Sequence, residues 1–521
     1  MCAVGLVLSF AASLPAAERS ANQYGRPQKK SEAGARFFDE PVLRVFKFEV
    51  VDTALTQLRQ SPRSYVVGKV IEGGHVLTNV AIRLRGNGSF RTLDERPNFA
   101  VKFDEFATNQ TYRGLTKLMF NNSVQDETYF AEFLATQLFR GAGVPAARVT
   151  HAKVQLNGRD LGLYVVIEAM NKEFLKQHFK SANGNFYEAP FHDIDLPLEQ
   201  DSGTRGDQSD RVKLLQVCSL TNRADRWREL NKLLDVDRFV SFAAVEMLTA
   251  HWDGYVLHTN NYRLYHDPHA DKFVFIPHGM DWAFLRPSLS IRVPLDSIVA
   301  HAVFDTPQGQ KLYRERAGTL FTNLFQVPAI THRIETEMAK IRTGAFSSNQ
   351  LAAIERGTAL MRDRIAARAR RISDELAGIP PVPLKFDANN VATLTEWRAD
   401  HDGGTGAVDR VTIDGKETLH IAAAGAYYHP SWRSLVYLPR GSYRFKGTLR
   451  IAAQGPVAGM LRRSGASTST TFGSATEWRA LSYDFEVKDA ANDVELVCDF
   501  SGAEGEAWFD LNSLRVRRLT P

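Results

Sequence analysis

The chain has 521 residues, 44% of them apolar and 24% charged, and a formal net charge of +5. This is the composition of folded globular domains and excludes a largely disordered protein. The small charge, without any long basic run, argues against a nucleic-acid surface, and three cysteines supply neither a disulfide framework nor a CxxC metal pair.

The opening stretch, MCAVGLVLSFAASLPAAERS, carries an apolar run from Ala3 to Leu14, then small residues, then charge. That pattern reads as a secretory signal over residues 1–17. The run is too short to span a bilayer. The expected location is therefore secreted, periplasmic or on the cell surface, with no integral membrane segment after processing. Residues 18–41 read as a polar leader.

From Val42 to about Phe106 the chain reads as β structure: VFKFEVV, YVVGKVIEGGHVLTNVAIRLRG and NFAVKFD carry alternating and β-branched residues between glycine turns. DETYFAEFLATQLFRGAG predicts a helix with Asp126 as its N-cap and Gly141 or Gly143 as its stop. THAKVQLNGRDLGLYVVIEAM predicts a hairpin turning at Asn157-Gly158. Residues 171–180 read as helical, and residues 181–234 as a polar surface insertion.

DVDRFVSFAAVEMLTAHW then predicts a buried helix, apolar on nearly every side. Directly after it, HWDGYVLHTNNYRLYHD places Asp253, Asn260 and Asn261 in a sequence otherwise suited to a core. NYRLYHD and KFVFIPH predict a second hairpin, followed by Asp281 in HGMDWAF. Helical patterns run from about Thr306 to Leu376, with the late arginines expected on a solvated face. GIPPVPLKFD marks a linker at 379–388, and residues 389–521 read as an all-β sandwich. Trp397, Trp432, Trp478 and Trp508 within it suit either a core or a sugar-binding face.

The fold class expected is α+β, with a two-lobed, protein-kinase-like core at 42–378. Its β-rich lobe would span about 42–170 and its helical lobe about 171–378. The order of elements carries that expectation: strands with one helix, a hairpin, helices, an acid-bearing loop, a short hairpin and a second acid. Phosphoryl transfer works mostly through position and charge. Asp253 would accept the proton of a substrate hydroxyl, while Asn261 and Asp281 at the two ends of the hairpin would hold Mg²⁺ or another divalent cation. Lys102 is the candidate contact to ATP phosphates, or else an exposed strand lysine, with Glu132 or Glu127 as its partner. Arg85, Asn87 and Ser89 in RLRGNGS form a glycine-bearing loop able to approach phosphates. Glu168 ends a strand where such a fold has its hinge.

The stretch from Asp253 to Phe284 resembles the signature of the CotH kinase family, the spore-coat-protein-H type of secreted atypical protein kinases. IRLRGNGSF, NFAVKFD, LNGRDLGLYVVIEAMNKEF and GNFYEA agree with it in order, over roughly residues 42–300. The resemblance implies ATP, a divalent metal, and phosphorylation of Ser or Thr on secreted or surface proteins. The family commonly shows Pro-Trp-Asp where this chain has Pro277, His278 and Gly279. That departure leaves two alternatives open: a pseudokinase scaffold, or Asp281 serving from two residues further on. Transfer of AMP is a third use of the same site. The C-terminal sandwich is similar to carbohydrate-binding or galactose-binding-like jelly rolls, which implies a possible glycan partner.

Overall fold

The computed structural model describes residues 34–519 except 190, 379–382, 401–405, 425–429, 454–456, 465–469, 474 and 503. The segment expected to be a secretory signal, most of the expected leader and part of the linker therefore lie outside the described residues. The end of the leader is helix α1 (Ala35–Asp39), which buries Phe37 and Phe38. Those two rings could not be left in a polar leader, because a core lies beside them.

That core fills a closed barrel. Its strands are β1 (Arg44–Glu49), β2 (Val66–Glu72), β3 (His75–Arg85), β4 (Asn98–Lys102), β5 (Lys117–Asn121), β6 (Val149–Leu156) and β7 (Arg159–Glu168), with helix α2 (Asp52–Gln60) between the first two. The spatial order is β1-β2-β3-β4-β5-β7-β6. Neighbours are antiparallel except where β1 meets β6 in parallel and closes the cylinder. Phe46, Phe48, Phe99, Phe120 and Tyr164 point inward and are fully buried, as the period-two alternation of these strands requires.

Helix α3 (Ala131–Gly141) leaves the barrel between β5 and β6. Asp126 is not its N-cap: it accepts the Thr128 and Ala131 N–H groups and shapes a turn before the helix, whose cap position is Phe130. Past β7 come α4 (Lys172–His178), β8 (Phe186–Glu188), β9 (Glu199–Ser202), α5 (Ser209–Cys218) and α6 (Arg223–Leu233). The expected surface insertion is thus partly built in, because β8 pairs with the second hairpin.

Helix α7 (Val236–Leu248) is capped by Asp235, whose carboxylate accepts the Arg238 N–H, and is buried along most of its length. A single turn, α8 (Tyr255–His258), leads to the hairpin of β10 (Tyr262–Asp267) and β11 (Lys272–Pro277), giving a sheet of order β11-β10-β8-β9. Four helices follow: α9 (Ile298–Phe304), α10 (Pro307–Asn323), α11 (Val327–Arg342) and α12 (Ser348–Leu376). One arginine of α12 departs from the expected solvated face. Arg368 is fully buried and donates to the carbonyls of Met247, Leu248, Pro287 and Leu289.

Beyond Phe386 the elements among the described residues are β strands and one 3-10 turn at Leu511–Ser513. Two long strands, Ser431–Ala452 and Ala475–Ser501, pair along most of their length and organise this unit around its own apolar core. Trp397 and Trp432 are buried in that core, whereas Trp508 is buried outside it, stacked on His420 with Arg450 over its ring, and the Trp478 indole N–H donates to Asp414 at 3.0 Å. Cys218 and Cys498 are buried, unbridged, and lie in separate units.

Candidate functional site

The end of α7 fixes the acid-bearing loop. Glu246, in the last turn, accepts the backbone N–H groups of Tyr255 and Val256, each at 2.9 Å. This closes α8 over a fully buried carboxyl. Gly254 is required there, since a Cβ would stand 2.4 Å from the Glu246 Oε1. Desolvation pushes the Glu246 carboxyl up to about 8, against the two hydrogen bonds.

Asp253 projects from this loop. Its carboxylate accepts the Asn261 Nδ2 at 2.8 Å and the Asn260 Nδ2 at 3.2 Å. Burial raises it to about 6, Asp281 adds to the rise, and the two amides oppose it. Asn261, in the left-handed region at φ 52°, sits where β10 begins and receives the His278 N–H on its carbonyl. The paired hairpin therefore delivers Asn261 and the segment 278–281 to the same place.

Gly279 is also left-handed, at φ 60°, and a Cβ on it would lie 2.4 Å from the Asn261 Oδ1. The amide already fills the space that an acid at position 279 would need. Asp281 is the acid that remains, held by the Asn121 side chain and raised by desolvation, with Arg85 opposing the rise.

These groups line one cavity of about 430 Å³ between the barrel and the helical region, a volume within the ~300–1,000 Å³ of small-molecule sites. Asp253, Asn261, Asp281, Arg85, Asn87, Ser89 and Glu168 all contribute to its wall. Lys102 does not. It lies at the far end of β4 and pairs with Glu105 at 2.5 Å, the exposed-strand reading of that residue. Glu127 faces elsewhere as well, pairing with Arg364 at 3.0 Å.

One cation of the wall is Arg85, at the end of β3, among the charges of Glu132, Asp281 and Glu188. Glu132 on α3 is buried and accepts the Met280 N–H. Desolvation and then Asp281 push it up to about 8, while Arg85 acts against them. Ser89 is tied to Asn98, whose amide donates to the Ser89 hydroxyl at 2.9 Å, so it serves to set the loop's shape. Glu168 is engaged by Arg148 and Gln177, which makes it chiefly a brace for the end of β7.

Sequence reasoning assigned no role to Glu188 or Arg263, which pair with each other in the cavity wall. The segment GNFYEA held Glu188 in view, but only the pairing of β8 with β10 discloses where it faces. Among the described residues no cluster of three or more His, Cys, Asp or Glu is placed to hold an ion. The donors at hand are hard oxygens from Asp281, Asn261 and Asp253. They fit a small cation such as Mg²⁺, which takes one or two carboxylates and completes its shell with phosphate and water.

A family model described as CotH kinase protein matches residues 82–372. Inner spore coat protein H of Bacillus subtilis (strain 168) is 21% identical over 299 residues, covering 52% of this chain and 82% of that protein. Invasin CotH2 of Rhizopus delemar is 22% identical over 290 residues, 50% of this chain and 47% of its own length. The chain thus spans about half the length of that invasin. Among solved structures, TmCBM61 in complex with β-1,4-galactotriose is similar at 15% identity, 24% of this chain, 90% of its own and a TM-score of 0.19. CBM35 from Cellvibrio japonicus Abf62 gives 20%, 24%, 91% and 0.18. No helix among the described residues is long and apolar enough to cross a membrane.

Proposed function

Because the chain belongs to the CotH kinase protein family, we propose that it is an exported, ATP-dependent Ser/Thr protein kinase acting on secreted or surface proteins, as an atypical two-lobed kinase fold would. One observation carries this reading: Asp253, Asn261 and Asp281, from a loop and the two ends of a hairpin, line the same cavity opposite Arg85. In-line phosphate transfer asks for little more than such placement of charge.

Asp253 would orient the substrate hydroxyl and take its proton, with Asn260 and Asn261 fixing the carboxylate's plane. Arg85 would bind the phosphates, and Glu132 would keep its guanidinium aimed into the cavity. The backbone at 86–89 would cover them. Asp281 and Asn261 would hold the divalent cation, whose chemistry is to neutralise charge building up on the phosphate oxygens. The pseudokinase alternative rested on Gly279. It is not favoured, because Asn261 occupies that space and Asp281 remains in the wall. The C-terminal unit would serve targeting, with a surface glycan as its ligand class and the Trp478, Asp414 and Lys416 group as its candidate contact.

The test uses ATP labelled either on the γ-phosphate or on adenine, with Mg²⁺ and the full chain. The wild type is expected to move only the γ label into protein, and Asp253→Asn to lose on the order of 10² or more of that rate. Adenine label in protein would instead mean AMP transfer. No label in protein under any divalent metal would sink the enzyme reading.

A further inference from the structure

One wall of the cavity is tied to the C-terminal β unit. Trp252, the residue before Asp253, stacks on Trp282, the residue after Asp281, with ring centroids 4.8 Å apart and planes 14° from parallel. The Arg286 guanidinium lies over the Trp252 ring, 3.8 Å from its centroid. A cation–π contact this close joins the two acid-bearing segments into one stack.

Arg286 does not act alone. Its Nη1 lies 3.3 Å from Glu495, a carboxylate of the C-terminal β unit, and 3.5 Å from the Ser464 hydroxyl of the same unit. Glu495 is largely buried and also pairs with Arg433 at 2.9 Å and Arg398 at 3.6 Å. Against the cost of desolvation, Arg286 first and then Arg433 and Arg398 hold it down at about 2. A carboxylate removed from water among three arginines is a costly arrangement to break, because each partner left behind keeps a buried charge. It fixes the β unit against the segment that follows Asp281.

We propose that Glu495 is a positioning residue for the Asp253 loop, acting through Arg286 and the Trp252–Trp282 stack, so that the site is complete only with the β unit docked. This rests on the reading of Asp253 as the group that handles the substrate hydroxyl. The unit beyond the linker is then part of the catalytic apparatus as well as a targeting module. Any ligand or protein that shifts it would reach the acid loop through Arg286, a physically connected coupling.

The test compares full-length wild type, Glu495→Gln and Arg433→Gln. Arg433 shares the Glu495 carboxylate but makes no ring contact with Trp252. Two measurements need no activity: amide hydrogen exchange across 249–262, and the near-ultraviolet circular dichroism of the stacked indoles. Glu495→Gln is expected to raise exchange in that segment and weaken the indole signal, with α11 unchanged, while Arg433→Gln leaves both near wild type. In the transfer assay, Glu495→Gln should lower kcat about tenfold with KM for ATP held, and Arg286→Lys should fall less than Arg286→Met. Unchanged exchange and dichroism in Glu495→Gln would overturn the proposal, as would equal loosening in both variants. A loosened loop in a protein that transfers nothing would instead keep the link and refute the kinase.

Discussion

At the scale of single residues, the proposed kinase site turns on which cation would meet the phosphates. A strand lysine before the lone helix is the obvious sequence choice, yet Lys102 is spent on Glu105 while Arg85 faces Glu132 and Asp281 across the cavity. The two assignments separate cleanly. Arg85→Met should abolish the ATP-dependent rise in melting temperature measured with Mg²⁺, because binding to the native state is what produces that rise. Lys102→Ala should retain it, with stability changed by less than about 0.5 kcal/mol, the usual cost at an exposed position. An ATP shift surviving in Arg85→Met would return the phosphate role to another residue.

The same scale shows what could be read in advance. Asp253, Asn261 and Asp281 were legible because short polar side chains are out of place in so apolar a run. Arg85 reads in the sequence as part of a glycine loop, and its place among the charges of Glu132 and Asp281 emerges only from the fold. Strand alternation tells which face a residue takes, but not which strand of a barrel lies across from a helix.

Among the elements, α7 governs the loop through Glu246. Its carboxyl is raised from the ordinary 4.5 to about 8 by desolvation. A folded value above the unfolded one means that folding takes up a proton. The stabilisation is complete below the ordinary carboxylate range and is lost as pH climbs through about 8. Melting temperature should accordingly fall between about pH 5 and pH 8 in the wild type and level off above that. In Glu246→Gln, whose amide does not titrate, that part of the fall should vanish. Identical pH profiles for the two proteins would show that another group controls the loop.

Element boundaries show where reading the chain reached its limit. The buried helix, the Asn157-Gly158 hairpin and the β10–β11 hairpin stood out because period and turn chemistry agreed. The start of α3 was misplaced because Asp126 caps a preceding turn instead. The residues at 186–188 read as insertion, because three residues are too few to register a strand pattern, although they complete the sheet beneath the cavity.

For the molecule as a whole, α12 is the piece that locks both acid-bearing segments to the helical core. Arg368 donates to carbonyls just before the Asp253 loop and just after Asp281. Sequence gives no hint of this, since one arginine in RDRIAARARRISDELAG looks like its neighbours until tertiary packing buries it. Arg368→Leu should cost on the order of 3 kcal/mol, because the carbonyls it serves would be left buried and unpartnered. The loss would appear as a lower urea midpoint at constant slope. A midpoint within error of wild type would mean that water reaches those carbonyls.

The parallel meeting of β1 with β6 has a last consequence. Arg44 pairs with Ala152, so the first strand waits for a partner more than a hundred positions downstream. Until that partner arrives, both strands offer bare backbone groups to any passing chain. Assembly of the cylinder is therefore slow and all-or-none in character, and a nascent copy is safest when kept apart from its siblings until the final seam is sewn.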